Sequence, residues 1–175
     1  MNFNELVSTG DFEAGEINTV VEIPQGSSLK VEYDRHTTLF RLDRAEPAIF
    51  AKPTNYGFIP QTLDDDGDEL DTLLISHEPI PTGVVVEAKI LGVMNFIDGG
   101  EHDHKIICRV ADDRHYGDAV QSIDDLPKSL LNQIEHHFTH YKDLKSPGTT
   151  DVKGFGNIED AKAVIRDCIE RWNNQ

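Results

Sequence analysis

A change of hydrophobic period part-way along the chain constrains the fold more than any other feature. Up to about residue 111, short runs mix β-branched and aromatic residues with polar ones, a pattern typical of strands. These runs lie at 18–23, 29–33, 38–43, 72–76, 84–97 and 105–111. From Leu126 onwards, apolar residues recur at helical spacing instead. Strands followed by helices predict an α+β domain, and we expect an antiparallel five-stranded OB-like β-barrel core with two main flanking α-helices.

Two helices are predicted in the last third of the chain. The first follows the capping candidates Asp124 and Asp125, and the second runs from about residue 158 to 172 with Asn157 as its N-cap. The apolar stripe of the first helix is Leu130, Leu131, Ile134, Phe138 and Tyr141. Gly92, inside the longest strand run, predicts a bend or bulge.

Length and composition indicate one domain over residues 1–175, because 175 residues with 38% hydrophobic content support one core and do not require two. No apolar stretch approaches the roughly 20 residues that span a bilayer. The acidic amino terminus does not resemble a signal peptide. Cys108 and Cys168 lie far apart, as expected for free thiols in a reducing compartment. We therefore expect a soluble cytoplasmic protein with no membrane partner.

The charge balance argues against nucleic-acid partners. Thirty-two acidic residues against sixteen Lys and Arg give a formal net charge of −16, whereas proteins that bind phosphate backbones normally carry a basic face. Bound divalent cations would reverse the local field, so the net charge does not exclude a small anionic substrate.

Asp66, Asp68 and Asp71 crowd around Gly67 directly before an apolar run. Taken alone, an acidic run with Asp-Gly is typical of a solvated turn. Crowded carboxylates repel one another, and a divalent cation such as magnesium, manganese or calcium would supply the missing positive charge. An EF-hand is excluded, because a loop with Gly67 in its glycine position would begin at Thr62 and end at Leu73, neither of which is an acid.

A second acidic loop follows the longest strand run and carries Asp98, Glu101 and Asp103. If the barrel brings the two loops together, their carboxylates can hold several cations, as in sites that polarise a phosphoryl group and activate water. Basic residues that could bind phosphate oxygens occur singly nearby. They include Lys30, Arg44, Lys105 and Lys142.

The ordered set of these motifs resembles the family I soluble inorganic pyrophosphatases, particularly the short bacterial form, over nearly the whole chain. The opening strands VVEIPQGSSLKVEYD, the LDR segment and the loop PTNYGFIP precede DGDELD, which matches the aspartate signature D-x-D-x-x-D. Three further features follow in the order found in the family: the spacing from Asp98 to Lys105, the segment HYKDL and the segment VKGFGN.

The resemblance implies a set of acids that bind several Mg²⁺ ions in one active site, with Mn²⁺ as a possible substitute. Asp66, Asp71 and Asp103 would hold the principal ions, and Asp98 would join Asp103 at an ion that arrives with substrate. Glu22 and Glu32 would support a further ion through waters.

The resemblance also implies the substrate, inorganic diphosphate, and its hydrolysis to two phosphates by direct attack of a metal-activated water, without a phosphoenzyme. Asp68 is the implied general base, and Tyr56, Lys30 and Arg44 are implied catalytic residues. The implied substrate-binding residues are Lys30, Glu32, Arg44, Tyr56, Lys105, Tyr141 and Lys142. Asp43 and Asn55 are expected to be supports, and the family also implies a homohexamer.

Two positions depart from the family pattern. Lys52 stands before Pro53 where a tyrosine is usual, which is expected to change phosphate contacts or pH dependence. Gly99 follows Asp98 where an acid is usual, and Glu101 is the candidate replacement. Neither change removes an implied direct ligand, so activity is expected.

Two alternative functions stay open. One is a phosphohydrolase for a nucleotide or other diphosphate, and the other is a non-catalytic barrel module that binds metal or anion. Zinc binding by His136 and His140 is disfavoured, because the sequence between them lacks the glutamate of a zinc protease motif. GFGNIE lacks the preceding parallel strand and final glycine of a dinucleotide site.

Overall fold

The computed structural model describes residues 1–115 and 117–175. Its strands are β1 Glu16–Ile23, β2 Leu29–Asp34, β3 Leu39–Ala45, β4 Asn55–Phe58, β5 Asp71–Ile75, β6 Val85–Asp98, β7 Glu101–His102, β8 Lys105–Val110 and β9 Thr150–Gly156. Its helices are α1 Phe3–Leu6, α2 Lys128–His140 and α3 Ile158–Asn173. Short 3-10 turns lie at Phe12–Ala14, Ala48–Phe50, Gly117–Ala119 and Ile123–Asp125. The two main helices predicted for the last third of the chain are confirmed, but the order is not simply strands followed by helices, because β9, which was not predicted, lies between α2 and α3.

Five strands close into a barrel in the order β1, β4, β5, β8, β6, and β6 returns to pair with β1. All of these pairs are antiparallel except β5 with β8, which run parallel. The barrel is therefore mixed, and the predicted fully antiparallel arrangement is inexact. The α+β class and the closed five-stranded core agree with the prediction, while OB-like connectivity stays a prediction.

The parallel pair follows from where β8 inserts. The chain reverses direction from β5 to β6 and again from β6 to β8, so β8 runs in the direction of β5. It then fits between these two earlier strands. Hydrophobic patterning reports which face of a strand is buried and carries no information about the neighbour it pairs with, so this insertion is invisible in the sequence.

The long strand β6 ties the barrel to the rest of the sheet, since it pairs with β1, β8, β7 and β9 along its length. Its register with β8 shifts between Ile90 and Gly92, which confirms the predicted bulge. A Cβ atom at Gly92 would lie 2.4 Å from the carbonyl oxygen of Gly156 in β9. Only glycine allows the two strands to approach this closely.

The two main helices cover the barrel with their apolar faces. Helix α3 buries Ala161, Ile165 and Cys168, and α2 buries Ile134 and Phe138. Both cysteines are buried free thiols, as predicted. Within the described residues, no helix combines the length and the apolar character needed to cross a bilayer.

The two predicted helix starts have different outcomes. The Asn157 side chain accepts hydrogen bonds from the amides of Glu159 and Asp160, which confirms the N-cap of α3. The predicted caps of the first helix are wrong. Asp125 instead closes a 3-10 turn by accepting from the Ser122 amide at 2.9 Å. Helix α2 begins later, after Pro127, whose fixed backbone suits a helix start.

Candidate active site

One cleft of about 410 Å³ lies between the barrel, the β2–β3 hairpin and the carboxyl end of α2. The implied metal ligands Glu22, Glu32, Asp66, Asp71, Asp98 and Asp103 all line it. Asp68, Lys30, Tyr56, Tyr141 and Lys142 line it as well. The fold therefore brings together side chains from both acidic loops and from the hairpin.

The floor of the cleft is set by the parallel pairing of β5 and β8. Asp71 and Lys105 each begin their strand and stand opposite one another in register. The Lys105 Nζ atom lies 2.6 Å from Asp71 and 2.6 Å from Asp103. Burial lowers the pKa of Lys105, yet the two carboxylates outweigh burial and raise it above its usual value. Lys105, only 1% exposed, thus lies beneath the cleft as a fixed cation.

Tyr56 lies in β4, which is paired with β5. Its hydroxyl donates a hydrogen bond to the Asp71 carboxylate. Burial and the charge of Asp71 both raise the pKa of Tyr56 well above its usual value, so the hydroxyl stays protonated and acts as a donor. Asp71 therefore accepts from a neutral phenol and an ammonium ion at once.

The Asp66–Asp68 segment is a tight turn before β5. The Gly67 amide donates to the Asp64 carbonyl at 3.1 Å, and Gly67 has a φ of 90°, a conformation that favours glycine. The Asp68 amide donates to the Asp66 side chain at 3.0 Å. Partial loss of hydration, together with the negative charge of Asp66, raises the pKa of Asp68 to about 6.

Asp98, the last residue of β6, faces the carboxyl end of α2 across the cleft. It accepts a hydrogen bond of 2.9 Å from the Tyr141 hydroxyl and forms an ion pair with Lys142. Burial, followed by the charge of Asp98, raises the pKa of Tyr141 above its usual value. Glu101, the candidate replacement for the missing acid at Gly99, is exposed in β7 and does not line the cleft.

The β2–β3 hairpin forms the opposite wall. Glu22, at the end of β1, is buried and accepts a hydrogen bond of 2.6 Å from the Tyr33 amide. Burial and the charge of Asp71 raise the pKa of Glu22 well above its usual value. On the same hairpin, Lys30 forms an ion pair with Glu32.

Arg44 lies outside the main cleft. It forms an ion pair with Asp43 at 2.7 Å and another with Glu46. It lines a small adjoining cavity together with Lys30 and Tyr141, which also reach the main cleft.

The two predicted supports, Asp43 and Asn55, also lie outside the main cleft. Asp43 approaches Lys30 to 3.8 Å as well as holding Arg44. Asn55 is fully buried and ties separate loops together, since its side-chain oxygen accepts from the amides of Gln25 at 3.0 Å and Ile80 at 2.8 Å. Neither residue lines the main cleft.

Comparison with known proteins decides the family. The family model described as inorganic pyrophosphatase matches residues 19–173. The inorganic pyrophosphatases of Neisseria meningitidis serogroup A and Haemophilus influenzae are each 59% identical over 174 residues, covering 99% of this chain and 98% and 99% of theirs. The chain belongs to the inorganic pyrophosphatase family.

Solved pyrophosphatase structures have the same fold. The inorganic pyrophosphatase of Neisseria gonorrhoeae superposes with a TM-score of 0.96 at 58% identity, covering 98% of this chain and 99% of that one. The Thermus thermophilus enzyme superposes with a TM-score of 0.89 at 37% identity, covering 95% and 97%.

The side chains of the pyrophosphatase cleft fit divalent cations in their chemistry. Nine residues that line the cleft carry carboxylates, against five with Lys or Arg side chains. Burial raises the pKa of Asp103, and the charge of Asp71 adds to the rise although Lys105 opposes it. Such crowded, partly dehydrated carboxylates are the oxygen donors that Mg²⁺ prefers.

The cleft acids are paired with lysines rather than grouped as a ready-made ligand set. Asp71 and Asp103 turn towards Lys105, and Asp98 turns towards Lys142. Accordingly, nowhere in residues 1–115 and 117–175 do three acidic, His or Cys side chains converge on a single point suited to an ion. Cation binding to this cleft would therefore compete with these ion pairs.

Sequence reasoning missed part of the pyrophosphatase cleft. Arg35, His36 and Arg41 line it from the hairpin, and Arg35 also donates to the Gly67 carbonyl of the acidic turn. The hairpin pairing that places them was predicted only as two strand runs. Lys52 also lines the cleft, but it was not missed, because the sequence had already marked it as a departure from the family pattern.

Proposed function

We propose that this protein hydrolyses inorganic diphosphate to two phosphates, with Mg²⁺ as its cation and Mn²⁺ as a substitute. Membership of the inorganic pyrophosphatase family supports the reaction. The observation that carries the proposal is the cleft itself, because acids from two separate loops face lysine and tyrosine side chains across a space of about 410 Å³. A small, highly charged anion suits such a polar cavity.

The proposed ligands of the principal cations are Asp66, Asp71 and Asp103, with Asp98 joining Asp103 when substrate arrives. Glu22 and Glu32 are proposed to act on a further ion through waters. When bound, the cations supply positive charge to the phosphoryl oxygens and lower the pKa of the attacking water. The excess of carboxylates over Lys and Arg in the cleft supports this assignment.

Asp68 is the proposed general base. Its pKa of about 6 leaves the carboxylate mostly ionised at neutral pH, yet more basic than an ordinary aspartate. Its place in the cleft beside Asp66 supports a role in accepting the proton of the attacking water. Tyr56 is proposed to donate to a phosphoryl oxygen while it holds Asp71 in place.

The proposed phosphate ligands are Lys30, Arg44, Lys105, Tyr141 and Lys142. Their role is to offset negative charge as it develops on the leaving phosphate, which is the kind of stabilisation that contributes most to catalysis. Ion pairs with acids hold Lys105 and Lys142 at the cleft before any substrate arrives, and bound cations would take over these acids and leave the two lysines for phosphate oxygens.

The test is phosphate release from purified protein with pure diphosphate, with and without Mg²⁺. We expect release only with the cation and a fall of at least about 100-fold in Asp71→Asn. The matched control is Asp151→Asn, which changes an exposed acid paired with Lys153 and should retain full activity. Release from nucleotides alone, or binding of diphosphate without release, would overturn the proposal in favour of the two alternatives.

A cytoplasmic homohexamer is proposed as the working form. The family resemblance supports it, and so do the exposed large apolar side chains Leu39, Leu42 and Ile49, which an assembly would cover. Sedimentation should give about six times the 19.6 kDa chain mass. A monomer at micromolar concentration would contradict this.

A further inference from the structure

Lys52 occupies a cage of three aromatic rings at the wall of the cleft. Its Nζ atom lies 4.7 Å from the ring centre of Tyr56, 5.2 Å from that of Tyr141 and 5.3 Å from that of Phe138. These distances are those of cation–π contacts, which attract an ammonium ion more weakly than a carboxylate does. The rings hold the side chain in place without neutralising it.

Lys52 differs from the other lysines of the cleft because it has no acidic partner. Lys30 pairs with Glu32, and Lys142 pairs with Asp98. Among the described residues, no carboxylate lies within ion-pair distance of the Lys52 Nζ atom, and no hydrogen-bond acceptor reaches it. A partly buried ammonium ion without a counter-ion is costly unless an anion joins it.

The surroundings of Lys52 are electropositive. Burial, together with the positive charges of Lys105, Lys30 and Arg44, lowers the pKa of Lys52 to about 7, although Asp71 opposes the shift. The groups packed against it are the neutral rings of Tyr56, Phe138 and Tyr141, and burial, together with the charge of Lys52, lowers the pKa of His137 to about 3. An arriving phosphate would therefore find several cations converging with no acid to neutralise Lys52.

The backbone of Lys52 is fixed. Its amide donates to the Ser27 carbonyl at 2.9 Å, and its carbonyl accepts from the Gly26 amide at 2.9 Å. The residue lines both the main cleft and the adjoining cavity that contains Arg44. Its side chain thus connects the two spaces from a rigid base, which reduces the entropy lost on binding.

We propose that Lys52 is a further substrate-binding residue, which donates to an oxygen of the phosphoryl group on the Arg44 side of the cleft. The inference rests on the proposed function and adds to it an ammonium group at a position where the family usually has a tyrosine. The aromatic cage orients the ammonium ion, and the substrate phosphate is its counter-ion. Lys52 therefore sets how tightly this chain holds diphosphate.

The test compares binding of imidodiphosphate, a diphosphate analogue that resists hydrolysis, with Mg²⁺ present, in the full-length wild type and in variants. Lys52→Met keeps an unbranched apolar stem against the rings and removes the charge. We expect its affinity for the analogue to fall about 10-fold, as for loss of one charge-assisted hydrogen bond. Lys52→Arg should restore most of the affinity, and Lys52→Tyr only part of it. Lys153→Met, which removes an exposed lysine, should bind as wild type does.

A pH series gives a readout that a purely structural lysine would not move. The ratio of wild-type to Lys52→Met affinity should be largest below pH 7, where the free ammonium form predominates, and should shrink as the pH rises above 7. Changes in the protonation of the analogue affect both proteins equally and cancel in the ratio.

The outcomes separate the two proposals. If wild type releases phosphate from diphosphate but Lys52→Met binds the analogue equally well at every pH, the role of Lys52 is wrong and the proposed function stands. If wild type neither binds the analogue nor releases phosphate, the proposed function fails. If Lys52→Met loses affinity together with a large fall in melting temperature and Lys52→Arg does not restore it, Lys52 is a packing residue and the inference is overturned.

Discussion

The guanidinium of Arg171, near the end of α3, donates a hydrogen bond of 3.0 Å to the carbonyl oxygen of Leu63, 108 residues earlier in the chain. The same side chain lies 2.9 Å from Asp65 and 3.6 Å from Asp64. One arginine therefore anchors the last helix to the start of the acidic turn. The turn is held from its other side by Arg35, which donates to Gly67.

Arg171→Ala should weaken cation binding without removing any proposed ligand. The acidic turn loses one of its two arginine anchors, so Asp66 and Asp71 become less fixed, and outer contacts of this kind are worth roughly 10-fold in metal affinity. The measurement is the Mg²⁺ concentration that gives half-maximal phosphate release.

Arg166→Ala is the matched control for Arg171, because Arg166 lies on the same helix and contacts the exposed Glu13 and the ring of Phe12 rather than the acidic turn. Its Mg²⁺ requirement should match that of wild type. An unchanged requirement in Arg171→Ala as well would show that α3 plays no part in positioning the turn.

Lys105→Met should destabilise the metal-free protein and should be partly rescued by Mg²⁺. Removing one partner from a buried ion pair leaves Asp71 and Asp103 facing each other without compensation, which typically costs about 3–5 kcal/mol. A cation between the two acids would replace the missing charge. Chemical denaturation with EDTA and with Mg²⁺ measures both effects. Equal losses in the two conditions would argue against a cation at this position.

Gly57→Ala should disrupt the barrel at the strand that carries Tyr56. A Cβ atom at residue 57 would lie 2.0 Å from the carbonyl oxygen of Val20, so β1 and β4 would have to separate. We expect a loss of more than about 2 kcal/mol of stability and a fall in activity that Mg²⁺ does not restore. A melting temperature close to that of wild type would contradict the strand packing described above.

Local features of the sequence were the ones that could be predicted. The Asn157 cap, the apolar face of α2 and the Gly92 bulge depend on residues close together in the chain, and each was predicted from them. The two acidic loops were recognised because both acid runs and their order are visible in the sequence. Their convergence followed from family resemblance, since strand periodicity does not specify which strands pair.

Long-range neighbours explain what was missed. Burial of Lys105 between Asp71 and Asp103 depends on the parallel pairing of β5 with β8, which no pattern in either strand encodes. The aromatic cage around Lys52 joins a loop, β4 and the end of α2. Such sites become visible only when the strands are in place, because each combines residues from separate elements with no shared local signal, as Asp71 and Lys105 do across 34 positions of the chain.

Asp64→Asn should stabilise the metal-free protein at neutral pH and leave it unchanged near pH 4. Asp64 is only 5% exposed, and its Oδ2 atom has no hydrogen-bond partner among the described residues. Burial raises its pKa to about 6, and the charges of Asp103 and Asp66 contribute. Because the folded-state pKa lies above the ordinary value of 3.8, the folded state binds the proton more tightly than the unfolded state does.

The contribution of the Asp64 carboxyl to the free energy of unfolding is therefore fully present below about pH 4. It declines as the pH rises through 6, by about 3 kcal/mol for a shift of some two pKa units. Asparagine keeps an oxygen that can accept from the Asp65 amide, as Asp64 does at 2.9 Å, but it cannot ionise. Denaturant unfolding in EDTA at pH 4, 6 and 8 should show the gain only at the two higher values. The control is Asp65→Asn, which changes an exposed acid that, like Asp64, lies close to Arg171, and it should show no such gain. A gain of equal size at pH 4 would mean that shape or hydrogen bonding, rather than the buried charge, determines the difference.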